Sequence, residues 1–481
     1  MGNVMDESRA NLSKLFTPES IAIVGVSGKG FQFGGSSYLS RLLECGFKGR
    51  LYAINPRIEK VLGQKAYPTL EALPEVPDMA IICLAAKFVP DVLESCGRIG
   101  LRHIHILSSG FKETGSREGE ELEARVTDIS KRHGLLVIGP NCMGPYCSAS
   151  RMTPFGASPG MRGPLGIISQ SGGIAQRMTE YACSLNIGVE KAVSLGNAAV
   201  LDCCDLLKHM ADDEKIKVIG MYLESVKDGR TLLELAKEVN REKPVIMLKG
   251  GDSDVGEKMA ASHTGAISGG RKSWNAFFRQ TGVTRVRSMT EWMDAIVAFS
   301  LLPAPAGKGV FIGCAGGGIS VIAGDILMAE GLDVPALSET TMDGLRSIVP
   351  AVGSIVGNPL DSFEMSLNAH RFMEVLELVL EDPACSMILI DRLIPRNIYH
   401  LPDVEDTTDA VIDFVRTRSD RKPTVFSADY DGGGTDLALK GTEMRARFCQ
   451  AGIPLYPSVK RAARSLMHLY RYHSFRQSAV V

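Results

Sequence analysis

At 481 residues the chain exceeds what one core holds at about 100 to 200 residues per domain, so about three domains are expected. A composition of 45% hydrophobic and 22% charged residues excludes the disordered and fibrous classes. A formal charge of −2, with basic runs no longer than Arg461 to Arg464 and Arg271-Lys272, lacks the basic stripe of a nucleic-acid binder, and those runs read as solvated helix faces.

The eleven cysteines form no Cys-x-x-Cys pair and have no histidine at ligand spacing, so no metal site is expected. Scattered thiols suit a reducing cytoplasm, and the polar stretch Met1 to Lys14 has no apolar signal core. No run approaches the roughly 18 apolar residues of a membrane span.

Along the chain, short β-branched runs alternate with amphipathic stretches, the pattern of βαβ units. The first block predicts strands at Ile21 to Val26, Leu51 to Ile54, Met79 to Leu84, His103 to Leu107 and Leu135 to Ile138, with a helix at Pro90 to Ile99. A Pro/Gly-rich linker, Thr153 to Pro164, leads to strands at Leu165 to Ser169, Ala192 to Ser194, Val218 to Leu223 and Val245 to Leu248. A second linker, Leu302-Pro303-Ala304-Pro305, precedes strands at Gly309 to Ile312, Met387 to Ile390 and Thr424 to Ser427, and a helix follows Pro457. The expected fold class is α/β, with domains at residues 1–150, 151–304 and 305–481.

In such units ligands sit at the carboxyl ends of strands, where glycines let backbone amides approach a phosphate. The first strand runs into Gly25-Val26-Ser27-Gly28-Lys29-Gly30. A dinucleotide fold would place an acid after the second strand, but this chain has Asn55-Pro56-Arg57, which suits an additional phosphate such as that of NADP or coenzyme A. By itself the glycine pattern also fits a tight βα turn with no ligand.

In the second block, Lys249-Gly250-Gly251 leads to a loop carrying Ala261-Ser262-His263-Thr264-Gly265-Ala266. Small neighbours would give access to the ring of His263, although a lone histidine is also compatible with an incidental role. Ser169-Gln170-Ser171-Gly172-Gly173 ends the block's first strand and opens a helix, offering hydroxyls and amides to a phosphoryl group, or simply a helix cap at Ser171. Glu224 ends the third strand; it could hold the Nδ1 proton of His263 so that Nε2 attacks phosphorus, or it could be a solvated loop acid.

From Leu15 to Tyr456 the chain resembles the α subunit of ADP-forming acetyl-CoA synthetases and, more distantly, succinyl-CoA synthetase. The resemblance rests on Ile23-Val24-Gly25-Val26-Ser27, Asn55-Pro56, Gly139-Pro140-Asn141-Cys142-Met143-Gly144, Ser169 to Gly173, Ser194-Leu195-Gly196-Asn197, Tyr222-Leu223-Glu224, Ser262 to Ala266 and Gly357-Asn358-Pro359-Leu360-Asp361, in one order. It implies a Rossmann-like CoA-binding domain followed by two flavodoxin-like domains. It further implies CoA contacts from Gly25, Ser27, Gly28, Lys29, Gly30, Asn55 and Arg57, and from Leu84, Ala85, Ala86, Ser108, Ser109 and Gly110 at the next two strand ends. Asn141 and Cys142 match the loop closing the first domain against the second, His263 matches the transiently phosphorylated histidine, and Glu224 matches its orienting acid.

No Walker-type loop occurs, and no further module is read after the third block. ATP or ADP and Mg²⁺ are therefore expected on a separate ATP-grasp β subunit, in a hetero-oligomer. Ser362-Phe363-Glu364-Met365 and the helix face around Gln176 match no acetate or succinate pocket, which leaves the carboxylic acid open. Two other readings stand beside this one: a catalytically inactive CoA-binding regulatory protein, and an NADP-dependent oxidoreductase suggested by Arg57.

Overall fold

The apolar runs form three separate sheets. A computed structural model of the chain describes residues 12–27, 34–152, 154, 160–264, 270–363, 368–392, 404–418, 422–430 and 434–478. It divides into two compact units, residues 1–183 with 187–289, and residues 184–186 with 290–481.

In the first unit, one sheet comprises β1 (Ser20–Val24), β2 (Arg50–Ile54), β3 (Lys60–Val61), β4 (Gln64–Tyr67), β5 (Met79–Ile82), β6 (His103–Ile106) and β7 (Leu136–Ile138). Helices α1 (Ser13–Phe16), α2 (Gly35–Glu44), α3 (Val89–Ile99) and α4 (Arg117–His133) accompany it. The spatial order is β3-β4-β2-β1-β5-β6-β7, parallel except for the β3–β4 pair. Without β3 this is the doubly wound order of a dinucleotide-binding fold, and its direction reverses between β1 and β5. The residues of β1 and β5 are buried throughout, as continuous apolar runs in a parallel sheet must be.

The second sheet contains β8 (Gly144–Cys147), β9 (Leu165–Ser169), β10 (Val189–Ser194), β11 (Val218–Leu223), β12 (Val245–Lys249) and β13 (Thr284–Val286). Its helices are α5 (Gly172–Ser184), α6 (Cys203–Ala211), α7 (Gly229–Glu242), α8 (Asp254–Thr264) and α9 (Arg271–Thr281). The order β13-β12-β11-β9-β10-β8 is flavodoxin-like, with an antiparallel edge at β8. Two chain signals set the ends of α6 and α7: Asp202 forms a reciprocal capping box with Asp205, and Asp228 accepts from Arg230 N and Thr231 N. The chain crosses from the first sheet to the second at Gly144, ahead of the linker read at Thr153 to Pro164. One continuous core includes residues of both sheets, from Ile21 and Ile81 to Ile168 and Met221.

The second unit holds β14 (Val310–Cys314), β15 (Leu360–Asp361), β16 (Met387–Asp391), β17 (Thr424–Ser427) and β18 (Leu455–Tyr456) in the parallel order β15-β14-β16-β17-β18, again flavodoxin-like. Around it lie α10 (Met289–Leu301), α11 (Gly317–Glu330), α12 (Glu339–Ile348), α13 (Ala369–Glu381), α14 (Val404–Arg416), α15 (Thr435–Gln450) and α16 (Val459–Ser478). Asp294 on α10 is 3% exposed and is held by Arg445 at 3.2 Å and Arg461 at 2.6 Å, so three helices share one buried ion triad.

No described helix is long and apolar enough to cross a membrane. All eleven cysteines are described, and all are thiols.

Candidate active site

At the carboxyl edge of the first sheet the chain turns at Gly25 with φ +96°, and a Cβ there would lie 2.4 Å from Cys83 O and 2.8 Å from Leu84. Only glycine fits, because the conformation is left-handed and the next strand end crowds it. Asn55 ties the edge together. Its Nδ2 donates to Val26 O at 2.5 Å, and its Oδ1 accepts from Arg57 N at 2.7 Å. Ser27 N donates to Ser36 Oγ at 2.7 Å, which fastens the start of the loop to α2. Gly28, Lys29 and Gly30 lie outside the described residues.

A cavity of about 390 Å³ opens beside this turn, lined by Gly25, Asn55, Pro56, Leu84 and, beyond the expected residues, Glu71 and Arg98. It sits at the strand-order reversal, where an open α/β sheet binds its ligand. Arg98 bonds Glu71 at 3.2 Å, and Ser95 donates to the same carboxylate. With Ser95 as the main cause, these bonds hold Glu71 down to about 2. Arg57 is exposed and lies outside the cavity wall. Composition alone could not have singled out Arg98, since it reaches the cleft from the last turn of α3.

Of the other expected contacts, Ala85 and Ser109 are exposed and Ala86 is half-buried, with Ala86 lying 3.2 Å from where a Cβ on Gly110 would stand. Ser108 O accepts from Asn141 N at 2.8 Å. Asn141 Nδ2 reaches Asn197 Oδ1 at 3.3 Å, and Asn197 Nδ2 donates in turn to Glu113 at 2.5 Å and Glu123 at 2.7 Å, a bridge between the two sheets of the unit. Two expected contact residues are placed in the interior. Cys142 is buried with its thiol toward Ile106 O, and Ser169 is fully buried, its hydroxyl donating to Ser171 O at 2.7 Å and accepting from Ser171 N at 3.1 Å. Both close turns, so their polar atoms face the protein.

The second sheet's order reverses between β9 and β11, and there Gln170 and Glu224 meet. Gln170 Oε1 accepts from Glu224 N at 2.5 Å and Ser225 N at 3.0 Å, and Gln170 Nε2 donates to Ser225 Oγ at 3.4 Å. Ser171 Oγ accepts from Ile174 N at 3.4 Å and so caps α5, whose first residues are Gly172 and Gly173. Space beyond Gly173 is open, since a Cβ there would meet nothing within 4 Å. Glu224 is 6% exposed and therefore no solvated loop acid. Tyr222 Oη donates to its Oε1 at 3.0 Å. Lys249, also buried, bonds Gly250 O and lies 5.1 Å from the Trp274 ring; burial draws its amine below the ordinary lysine range. The sequence reading named Tyr222 within the motif Tyr222-Leu223-Glu224 but gave it no role, although its period-2 spacing from Glu224 puts both side chains on one face.

His263, expected on a loop, stands instead near the end of helix α8. The apolar-poor run Asp254 to Thr264 carries acids in its first turn, which suit the positive end of the helix dipole. Helix α8 packs against the turn Lys112–Thr114, just beyond Ser108 to Gly110 of the first sheet. Gly265 and Ala266 lie outside the described residues.

In the second unit, Asn358 Oδ1 accepts from Ile312 N at 3.0 Å, and Asp361 Oδ1 accepts from Gly316 N at 2.7 Å, so the motif Gly357 to Asp361 clasps the glycine turn that opens α11. Among the described residues, Asp202, Cys203 and Cys204 bring potential metal-ligand atoms within 4.8 Å of one another. Asp202 is already the cap of α6, and a hydrogen bond with Cys204 and burial hold the Cys203 thiol well above its usual range, so the trio is poorly suited to an ion.

Residues 19–147 match a CoA binding domain, and residues 162–299 match a succinyl-CoA ligase like flavodoxin domain. The chain is 35% identical over 475 residues to the α subunit of acetate–CoA ligase [ADP-forming] I of Pyrococcus furiosus, covering 97% of this chain and 98% of that one. It is 33% identical to the α subunit of the corresponding ligase II of the same organism, covering 92% and 94%. The solved dinucleotide-forming acetyl-coenzyme A synthetase 1 of Candidatus Korarchaeum cryptofilum, in complex with phosphate and ADP, superposes with a TM-score of 0.86 at 29% identity over 98% of this chain and 99% of that one. With its motifs, sheet orders and near full-length likeness in agreement, the chain belongs to the family of ADP-forming acyl-CoA synthetases, as an α-subunit-type member.

Proposed function

We propose that this chain is the CoA-binding, phosphohistidine-carrying subunit of its synthetase, with CoA on residues 1–150, the phosphoryl relay on 151–304 and a second flavodoxin-like domain on 305–481. Phosphate attacks the acyl-CoA thioester; the C–S bond breaks, CoA leaves as the thiol and an acyl phosphate forms. Nε2 of His263 then attacks phosphorus, the P–O bond to the acyl group breaks and the carboxylate departs. The phosphohistidine is delivered to a nucleoside diphosphate on a separate ATP-grasp β subunit, which holds Mg²⁺. Glu224 accepts a hydrogen bond from Nδ1–H and balances the imidazolium, while Gln170, Ser171 and the amides of Gly172 and Gly173 receive the phosphoryl group. An imidazole with an unperturbed pKa near 6.5 is largely neutral at physiological pH and can act as the nucleophile.

The observation that carries this reading is the meeting of Gln170, buried Glu224 and the open start of α5 at the strand-order reversal, with the helix of His263 packed against a turn of the CoA-binding sheet. The eleven thiols suit a reducing cytoplasmic location. Incubation with acyl-CoA and labelled phosphate should leave an acid-labile, base-stable label on the chain. His263→Asn should abolish it while CoA binding persists; label persisting on that variant would assign the nucleophile elsewhere.

A further inference from the structure

We infer that Tyr222 is a positioning residue of the relay, its phenol holding the Glu224 carboxylate in the orientation from which that acid serves the histidine. The inference rests on the role proposed above for Glu224 and His263.

Tyr222 and Glu224 stand two apart at the end of β11, so their side chains leave the strand on one face. The phenol donates to Oε1 at 3.0 Å. A glutamate has three side-chain torsions, and the bonds from Glu224 N and Ser225 N to Gln170 fix only its backbone. The phenol acts on the carboxylate itself, at Oε1.

Tyr222 is itself held by backbone. A Cβ on residue 250 would stand 2.5 Å from Tyr222 Oη, 2.9 Å from its Cζ and 3.2 Å from Glu224 Cγ, so the phenol occupies space that exists only because position 250 is glycine. Gly250 N donates to Leu223 O at 2.9 Å, which keeps that backbone against β11. Burial raises the phenol well above the ordinary tyrosine range, so it is a donor at every working pH. Among the described residues, the charged groups near the pair include Lys249 on β12 and, near that amine, Asp252, Glu257 and Arg285.

The test compares wild type, Tyr222→Phe and Glu224→Gln in the chain assembled with its nucleotide-binding partner. It reads single-turnover phosphoryl labelling from acyl-CoA and labelled phosphate, CoA affinity, and kcat and KM separately. Tyr222→Phe should slow labelling about 10- to 100-fold, the size of one hydrogen bond to a charged group, with CoA affinity unchanged. KM for acyl-CoA should stay at the wild-type value while kcat falls, because the phenol acts on the relay and not on the CoA cleft. Gly250→Ala, which displaces the phenol without removing it, should reproduce the slower labelling. If Glu224→Gln is impaired while Tyr222→Phe keeps the wild-type rate, or slows only together with a loss of CoA affinity, the positioning role is overturned and the relay reading stands. If Glu224→Gln is itself unimpaired, both fall.

Discussion

His105 gives the first unit a defined weakness in acid. It lies on β6, fully buried, with Nε2 donating to Cys142 O at 3.1 Å and its ring 5.5 Å from that of Tyr38. Protonation must therefore occur at Nδ1, which has no hydrogen-bond partner among the described residues, and burial depresses the group to about 4. Because the folded value lies below the unfolded one of about 6.5, the neutral ring contributes its full stability above pH 6.5. That contribution falls as pH drops toward 4 and is exhausted below it. A gap of about 2.5 units corresponds to about 3 kcal/mol in total, of which about 2 kcal/mol is already lost at pH 5.

The two tryptophans divide between the units, Trp274 in the first and Trp292 in the second, so Trp292→Phe leaves a fluorescence signal for the first unit alone. Urea midpoints measured near pH 7.5 and pH 5 should fall further in this background than in the same background carrying His105→Asn, by the equivalent of about 2 kcal/mol. Other titrating groups are common to both proteins and cancel. Equal pH dependence in the two would refute the assignment of a buried neutral imidazole.

His209 should behave similarly: burial, then Lys191, lowers it to about 4, with Lys191 Nζ 3.1 Å from Nε2, and His209→Gln should remove a comparable share of the acid sensitivity in the same urea assay. Asp294→Ala should destabilise the second unit by about 3 to 5 kcal/mol, since it strands buried Arg445 and half-buried Arg461; denaturation followed by Trp292 fluorescence would measure it. Calorimetry with CoA should show Arg98→Ala weakening binding roughly tenfold and Arg57→Ala by less than about threefold, and the reverse order would return the phosphate contact to Arg57. Gln170→Ala leaves the amides of Glu224 and Ser225 without their acceptor and should cost about 1 to 3 kcal/mol of stability together with a loss of phosphoryl labelling.

The strands were legible before any coordinates because a parallel strand is apolar on both faces. Ile21 to Val24, Met79 to Ile82, Val218 to Leu223 and Met387 to Ile390 stand out as predominantly β-branched or aliphatic runs, three of them followed by glycine or an acid. The carboxyl edges could be placed for the same reason, and with them Gly25, Asn55, Gln170 and Glu224. Strand β8 was invisible, because Gly144-Pro145-Tyr146-Cys147 has neither apolar periodicity nor strand propensity and is a strand only through its pairing with β10. The short edge strands β3, β13, β15 and β18 escaped because two or three residues are too few to show a period.

Side-chain partnerships lay further from reach. The chemistry of Arg57 suits a phosphate as well as that of Arg98, and only the packing of α3 decides which guanidinium lines the cavity. Ser169 and Cys142 carry polar atoms at strand ends, yet the turns consume them. Spacing alone put His263 on a loop of small residues, whereas the acids at the start of α8 and its packing against Lys112–Thr114 make that segment helical. The sequence by itself determined which residue types arrive at each sheet edge, since burial writes apolar runs into the chain. Which of them touch was decided by tertiary structure alone, because a 3.0 Å hydrogen bond such as that from Tyr222 to Glu224 depends on the backbone of Gly250, contributed by a neighbouring strand.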